Sequence, residues 1–135
     1  MRRLARLAAV GATMLGAASC GGNATSEPTR AYTLGLEVDD SGERYRYVAT
    51  GDVDIRVGDE VTFELHNTGS LPHDLQIVDP DGDEIALAPP IVSGGRLSIT
   101  ARFDEAGFFR LNCLVDDHLT VHDMQTFIEV TESTG

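Results

Sequence analysis

From Tyr32 to Val130, apolar residues recur at every second position, in short runs broken by Gly, Pro, Asn and Asp. This rhythm limits the fold more than any other feature of the chain. Alternating side chains let an extended strand bury one face and wet the other. Val53, Ile55 and Val57 alternate with Asp54 and Arg56 before a turn at Gly58-Asp59. Val61, Phe63 and Leu65 alternate with Thr62, Glu64 and His66, and Asn67-Thr68-Gly69-Ser70 follows as a loop. His73, Leu75 and Ile77 share a face ahead of the turn Asp79-Pro80-Asp81-Gly82-Asp83. Leu97, Ile99 and Ala101 form another such row, then Phe109, Leu111 and Cys113, and last Ile128 and Val130. Residues 32–38 and 45–49 are further strand candidates, and 86–95, with its Pro-Pro and Gly-Gly pairs, is expected to be loop. No segment carries an apolar stripe at helical spacing and no internal repeat is visible. The expectation is an all-β antiparallel sandwich of about seven or eight short strands.

The first 19 residues do not fit this pattern. Met1-Arg2-Arg3-Leu4-Ala5-Arg6 and the apolar run to Ala18 have the form of a signal peptide, and the run is too short for a membrane span. Ala17-Ala18-Ser19-Cys20 resembles a bacterial lipobox, which would make Cys20 the lipidated first residue of an exported protein. Residues 20–30 are expected to be a flexible tether and 31–132 the folded domain. Three of the ten arginines and lysines lie in the signal and all 22 acidic residues follow it. The exported part therefore sets 7 basic residues against 22 acidic ones, a net charge of −15. Nucleic acid and anionic lipid surfaces are poor partners for such a chain, and a basic protein is a better one.

If Cys20 carries lipid, Cys113 has no cysteine to pair with, which is unusual outside the cytosol. Its neighbours supply a reason. His118 and His122 lie between Cys113 and Met124, and His73 sits upstream in Leu71-Pro72-His73-Asp74-Leu75. Thiolate, imidazole and thioether together suit copper, which cycles between Cu(I) and Cu(II). Parity places the set in space. Cys113 shares a face with Phe109 and Leu111, and His73 with Leu75 and Ile77. Both lie at the loop end of a core-facing row, at one pole of the sandwich.

These residues also resemble a known family. Gly58-Asp59-Glu60-Val61-Thr62-Phe63-Glu64-Leu65, Asn67-Thr68-Gly69 and Leu71-Pro72-His73-Asp74-Leu75 resemble the N-terminal half of the cupredoxins. Phe103-Asp104-Glu105-Ala106-Gly107-Phe108-Phe109, Leu111 and Cys113, followed by His118, Met124 and a final strand at 126–130, resemble the C-terminal half. The resemblance implies a Greek-key sandwich with a mononuclear type 1 copper site. It implies His73, Cys113 and His118 as equatorial ligands and Met124 as the long axial one. Family loops usually place glycine before the methionine and four residues between histidine and methionine. Here Asp123 precedes Met124 and five residues intervene, so His122 stands as an alternative axial ligand. Asp74 takes the place of a common asparagine and is expected to pin the cysteine loop through hydrogen bonds.

The implied function is electron transfer by a monomer with one copper ion and redox protein partners. Its place is the periplasm or the outer face of the cytoplasmic membrane, where lipid is its only membrane contact. The alternative is a lipoprotein that delivers or sequesters copper, supplying an oxidase. No catalytic constellation is evident, and enzyme activity is not expected.

Overall fold

The computed structural model describes residues 28–134, so the signal, Cys20 and most of the tether lie outside the described residues. Nine strands run in chain order: β1 (Ala31–Asp39), β2 (Arg46–Ala49), β3 (Ile55–Arg56), β4 (Glu60–His66), β5 (His73–Val78), β6 (Glu84–Ile91), β7 (Arg96–Arg102), β8 (Gly107–Asn112) and β9 (Gln125–Thr131). Among the described residues there is no helix, and so none long and apolar enough to cross a membrane. One sheet has the order β2-β1-β4-β7 and the other β3-β9-β8-β5-β6.

The alternation predicted from sequence is what the sheets bury. Val61, Phe63 and Leu65 of β4 are fully buried against the facing sheet, where Leu75, Ile77, Phe109 and Leu111 close the other side. The Phe103 ring packs edge-on against Phe63 and Phe109 at centroid distances of 6.2 and 4.9 Å, an arrangement aromatic pairs favour.

Four details depart from expectation. Nine strands form, not seven or eight. Two pairings are parallel, β1 with β4 and β3 with β9, so the sandwich is mixed where an antiparallel one was expected. A half-buried strand alternates identically in either direction, so periodicity carries no sign of it. The strand expected over 53–57 shortens to Ile55–Arg56 at a sheet edge.

Last, most of the predicted loop 86–95 is strand β6. β6 is an edge strand, where proline is tolerated. Its register with β5 runs His73↔Ile91 and then Leu75↔Ala88. Pro89 and Pro90 therefore stand together opposite Asp74, in a bulge where residues without an N–H cost the ladder nothing.

The folded body starts ahead of residue 31. Thr29 N donates to Gly58 O, Glu60 N donates to Arg30 O, and the Arg30 guanidinium grips the buried Asp59 carboxylate at 3.0 and 2.6 Å.

Topology then builds the pole. β8 runs antiparallel to both β5 and β9. The start of β5, the end of β8 and the start of β9 must therefore lie at one end of their sheet. His73 opens β5, Cys113 follows β8 and Met124 precedes β9.

Candidate metal centre

His73 and Cys113 are fully buried and His118 is 4% exposed. The Cys113 Sγ lies 3.7 Å from His73 Nδ1 and 3.4 Å from His118 Nδ1. One donor atom from each of the three falls within 4.8 Å of the other two, a spacing that one ion can bridge. Met124 is fully buried in the same core cluster as Cys113. Its backbone is fixed on both sides, since Met124 N donates to His118 O and Cys113 N donates to Met124 O.

The loop from Cys113 to Met124 closes on itself. His118 N donates to Val115 O and Val121 N to Asp117 O. Asp123 has φ 45°, in the left-handed region that glycine favours and aspartate tolerates. The conformation that a glycine would supply ahead of the methionine is thus present with aspartate in its place. Arg44 pairs with the Asp123 carboxylate at 2.6 Å.

His122 is not brought into the trio. Its Nδ1 donates to Glu43 O at 2.8 Å, and its ring stacks on Tyr45 at 4.0 Å with planes 6° apart. The same Tyr45 ring meets His118 edge-on at 5.1 Å and His73 at 6.1 Å, and His122 meets His118 edge-on at 6.3 Å, so its ring packs on the outside of the trio. Asp74, nearly buried, accepts the Leu114 N–H at 2.7 Å and so ties β5 to the residue after Cys113.

The environment sets the charge state of Cys113 and His118. Burial, the largest influence, pushes the Cys113 thiol up to about 11, so without an ion the sulfur stays protonated. Desolvation, and then the neighbouring His73, hold the His118 imidazole below its ordinary value despite Asp117 and Asp116, which keeps its lone pair available. These donors fit a soft or borderline cation that displaces the thiol proton. Two imidazoles, one thiolate and a weak thioether are the set used at blue-copper sites.

Sequence reasoning missed three residues here. The Tyr47 hydroxyl donates to Asp74 O and reaches Asn112 O at 3.2 Å, bracing the strand ends behind the site. Burial, the largest influence, and the neighbouring Cys113 and Asp74 raise its phenol well above the ordinary value. Tyr45 walls the histidines. Asp40 Oδ2 lies 3.0 Å from His73 Nε2. Burial pushes the Asp40 carboxyl up, but hydrogen bonds from His73, Leu71 and Ser70 more than offset that and hold it below its ordinary value. All three come from the β1–β2 region, and only an aromatic alternation at Tyr45 and Tyr47 hinted at burial. A cleft of about 270 Å³ elsewhere between the sheets, lined by Leu34, Val53, Thr126 and Phe127 among others, includes none of the trio.

The all-β architecture of two packed sheets is that of the cupredoxin fold. Within it the chain is similar to auracyanin from the photosynthetic bacterium Roseiflexus castenholzii, solved in dithionite-reduced form. That match has a TM-score of 0.56 and 17% identity, and covers 79% of this chain and 99% of that one. Auracyanin A, a "blue" copper protein from the green thermophilic photosynthetic bacterium Chloroflexus aurantiacus, matches with a TM-score of 0.55 and 17% identity, covering 73% of this chain and 98% of that one. A copper-containing nitrite reductase from Thermus scotoductus matches with a TM-score of 0.51 and 18% identity, covering 78% of this chain but 28% of its own. At such identities the likeness is one of fold. No protein-family profile and no curated protein matches the sequence.

Proposed function

We propose that this protein is a one-electron carrier with a single type 1 copper ion held by His73, Cys113, His118 and Met124. The observation that carries the reading is the buried trio at the pole, with the Nδ1 atoms of two histidines at 3.7 and 3.4 Å from one sulfur. When bound, copper supplies a Cu(I)/Cu(II) couple. The chain supplies the constancy around it. His73 and Cys113 hang from strand ends, and the loop is closed by its own hydrogen bonds. Donors that hardly move between oxidation states keep reorganisation small.

His118 is the most exposed of the three, and Leu71, Leu114 and Val121 stand exposed on the loops around it. An apolar rim beside a ligand edge suits brief docking of a redox protein. The excess of acidic residues favours a basic partner. We further propose that the carrier is an exported monomer, anchored by lipid on Cys20 to the outer face of the cytoplasmic membrane.

The test is addition of Cu(II) to the purified domain. The expected result is an intense sulfur-to-copper absorption in the visible that disappears on reduction and returns on oxidation. Tight, colourless Cu(I) binding without a reversible couple would overturn the carrier in favour of copper delivery.

A further inference from the structure

A carboxylate from the opposite sheet reaches behind His73. Asp40 follows β1, and its side chain is 6% exposed. Oδ2 receives Leu71 N at 3.0 Å and Ser70 N at 2.9 Å, Oδ1 receives Ser70 N at 3.1 Å, and the Ser70 hydroxyl adds a longer contact at 3.4 Å. The seat is cut to size: a Cβ on Gly69 would stand 2.4 Å from Oδ2, so a side chain there would displace the carboxylate. Next to it, Thr68 Oγ1 exchanges hydrogen bonds with Val38 N and O at 3.0 and 2.9 Å, locking the same two segments together.

Asp40 Oδ2 meets His73 Nε2 at 3.0 Å. An ionised carboxylate only accepts, and four other donor contacts already converge on this one. In a neutral imidazole the one ring proton must therefore sit on Nε2. Nδ1 is left with its lone pair, on the side facing Cys113 Sγ.

We propose that Asp40 is a positioning residue for the metal centre, one that fixes the His73 tautomer and ring direction and lends the site negative charge that favours Cu(II) over Cu(I). The charge effect rests on the one-copper reading above; the tautomer effect does not.

The experiment has two arms. In metal-free protein, long-range 15N–1H correlation reads the His73 ring. Wild type is expected to show one tautomer, Nε2–H, and Asp40→Ala a mixture of both. A wild-type Nδ1–H ring overturns the proposal, whichever variants fold. An Asp40→Ala ring that stays wholly Nε2–H also overturns it. In copper-loaded protein, Asp40→Asn is expected to keep the wild-type absorption while the preference for Cu(I) rises about tenfold, which is about 59 mV in a one-electron couple. An unchanged potential beneath an unchanged spectrum overturns the charge effect. Wild type with no reversible coloured copper defeats the proposed function and the charge effect with it, while the first arm still decides the tautomer.

Discussion

Asp74→Ala tests whether one carboxylate holds the cysteine loop. Asp74 is 5% exposed, and its Oδ1 accepts the Leu114 N–H at 2.7 Å, the length of a charge-assisted bond. Such bonds contribute about 1.5–3 kcal/mol. Leu114 is half-exposed, so water can reach its freed N–H, and the loss falls at the lower end, about 1.5–2 kcal/mol. An unfolding entropy of about 2.1 cal/mol/K per residue over the 107 described residues gives about 4–5 °C per kcal/mol. The melting temperature of metal-free protein should then fall by about 7–9 °C. Asp74→Asn keeps an accepting oxygen without the charge and should lose about half as much. Urea unfolding of the metal-free forms measures this, and hydrogen exchange at Leu114 should quicken in the alanine variant. Copper affinity, measured by competition, should fall about 10- to 100-fold as the Cys113 loop loosens. A stability change under about 0.5 kcal/mol with unaltered m-value would show that the carboxylate does not hold the loop.

Met124→Leu conserves volume in a fully buried site and should cost less than about 1.5 kcal/mol. The absorption and potential of the copper form should change with loss of the thioether, and if neither moves, Met124 is not a ligand. His122→Phe retains the stack on Tyr45 and should leave the copper spectrum unaltered; a changed spectrum would return the imidazole to the ligand set. Asp59 contributes to acid stability. Burial raises its carboxyl, but hydrogen bonds from Arg30 and Arg56 N outweigh this and hold it below the ordinary 3.8. A depressed native value stabilises fully above the unfolded one and is lost as pH falls through the native one. The urea midpoint of wild type should therefore drop more steeply below about pH 4 than that of Asp59→Asn. Parallel slopes for the two would refute that.

What was legible in the chain follows from local rules. Period-two rows in β4, β5, β7, β8 and β9 announced a sandwich because one buried face demands alternation. Parity put His73 and Cys113 at the inner ends of their rows, and no feature of the tertiary structure was needed for that. Pro89 and Pro90 misled because proline is excluded from central strands and accepted at edge bulges, and edge or centre is a property of sheet order. Parallel pairing was invisible for a similar reason, since direction leaves no mark on alternation. In sequence Met124 was the favoured axial donor, with His122 as its alternative. Only the turn of the chain at Asp123 and the ring of Tyr45 directed His122 outward and left Met124 in the core. Asp40 was one acidic residue among 22, without a pattern of its own. It acquires meaning only where β1 ends beside the loop that leads into β5. The sequence by itself determined which faces are buried and which soft donors are available, because both depend on residue type and spacing of two. The tertiary structure alone decided which donors meet and what stands behind them, because that depends on how strands far apart in the chain are laid side by side.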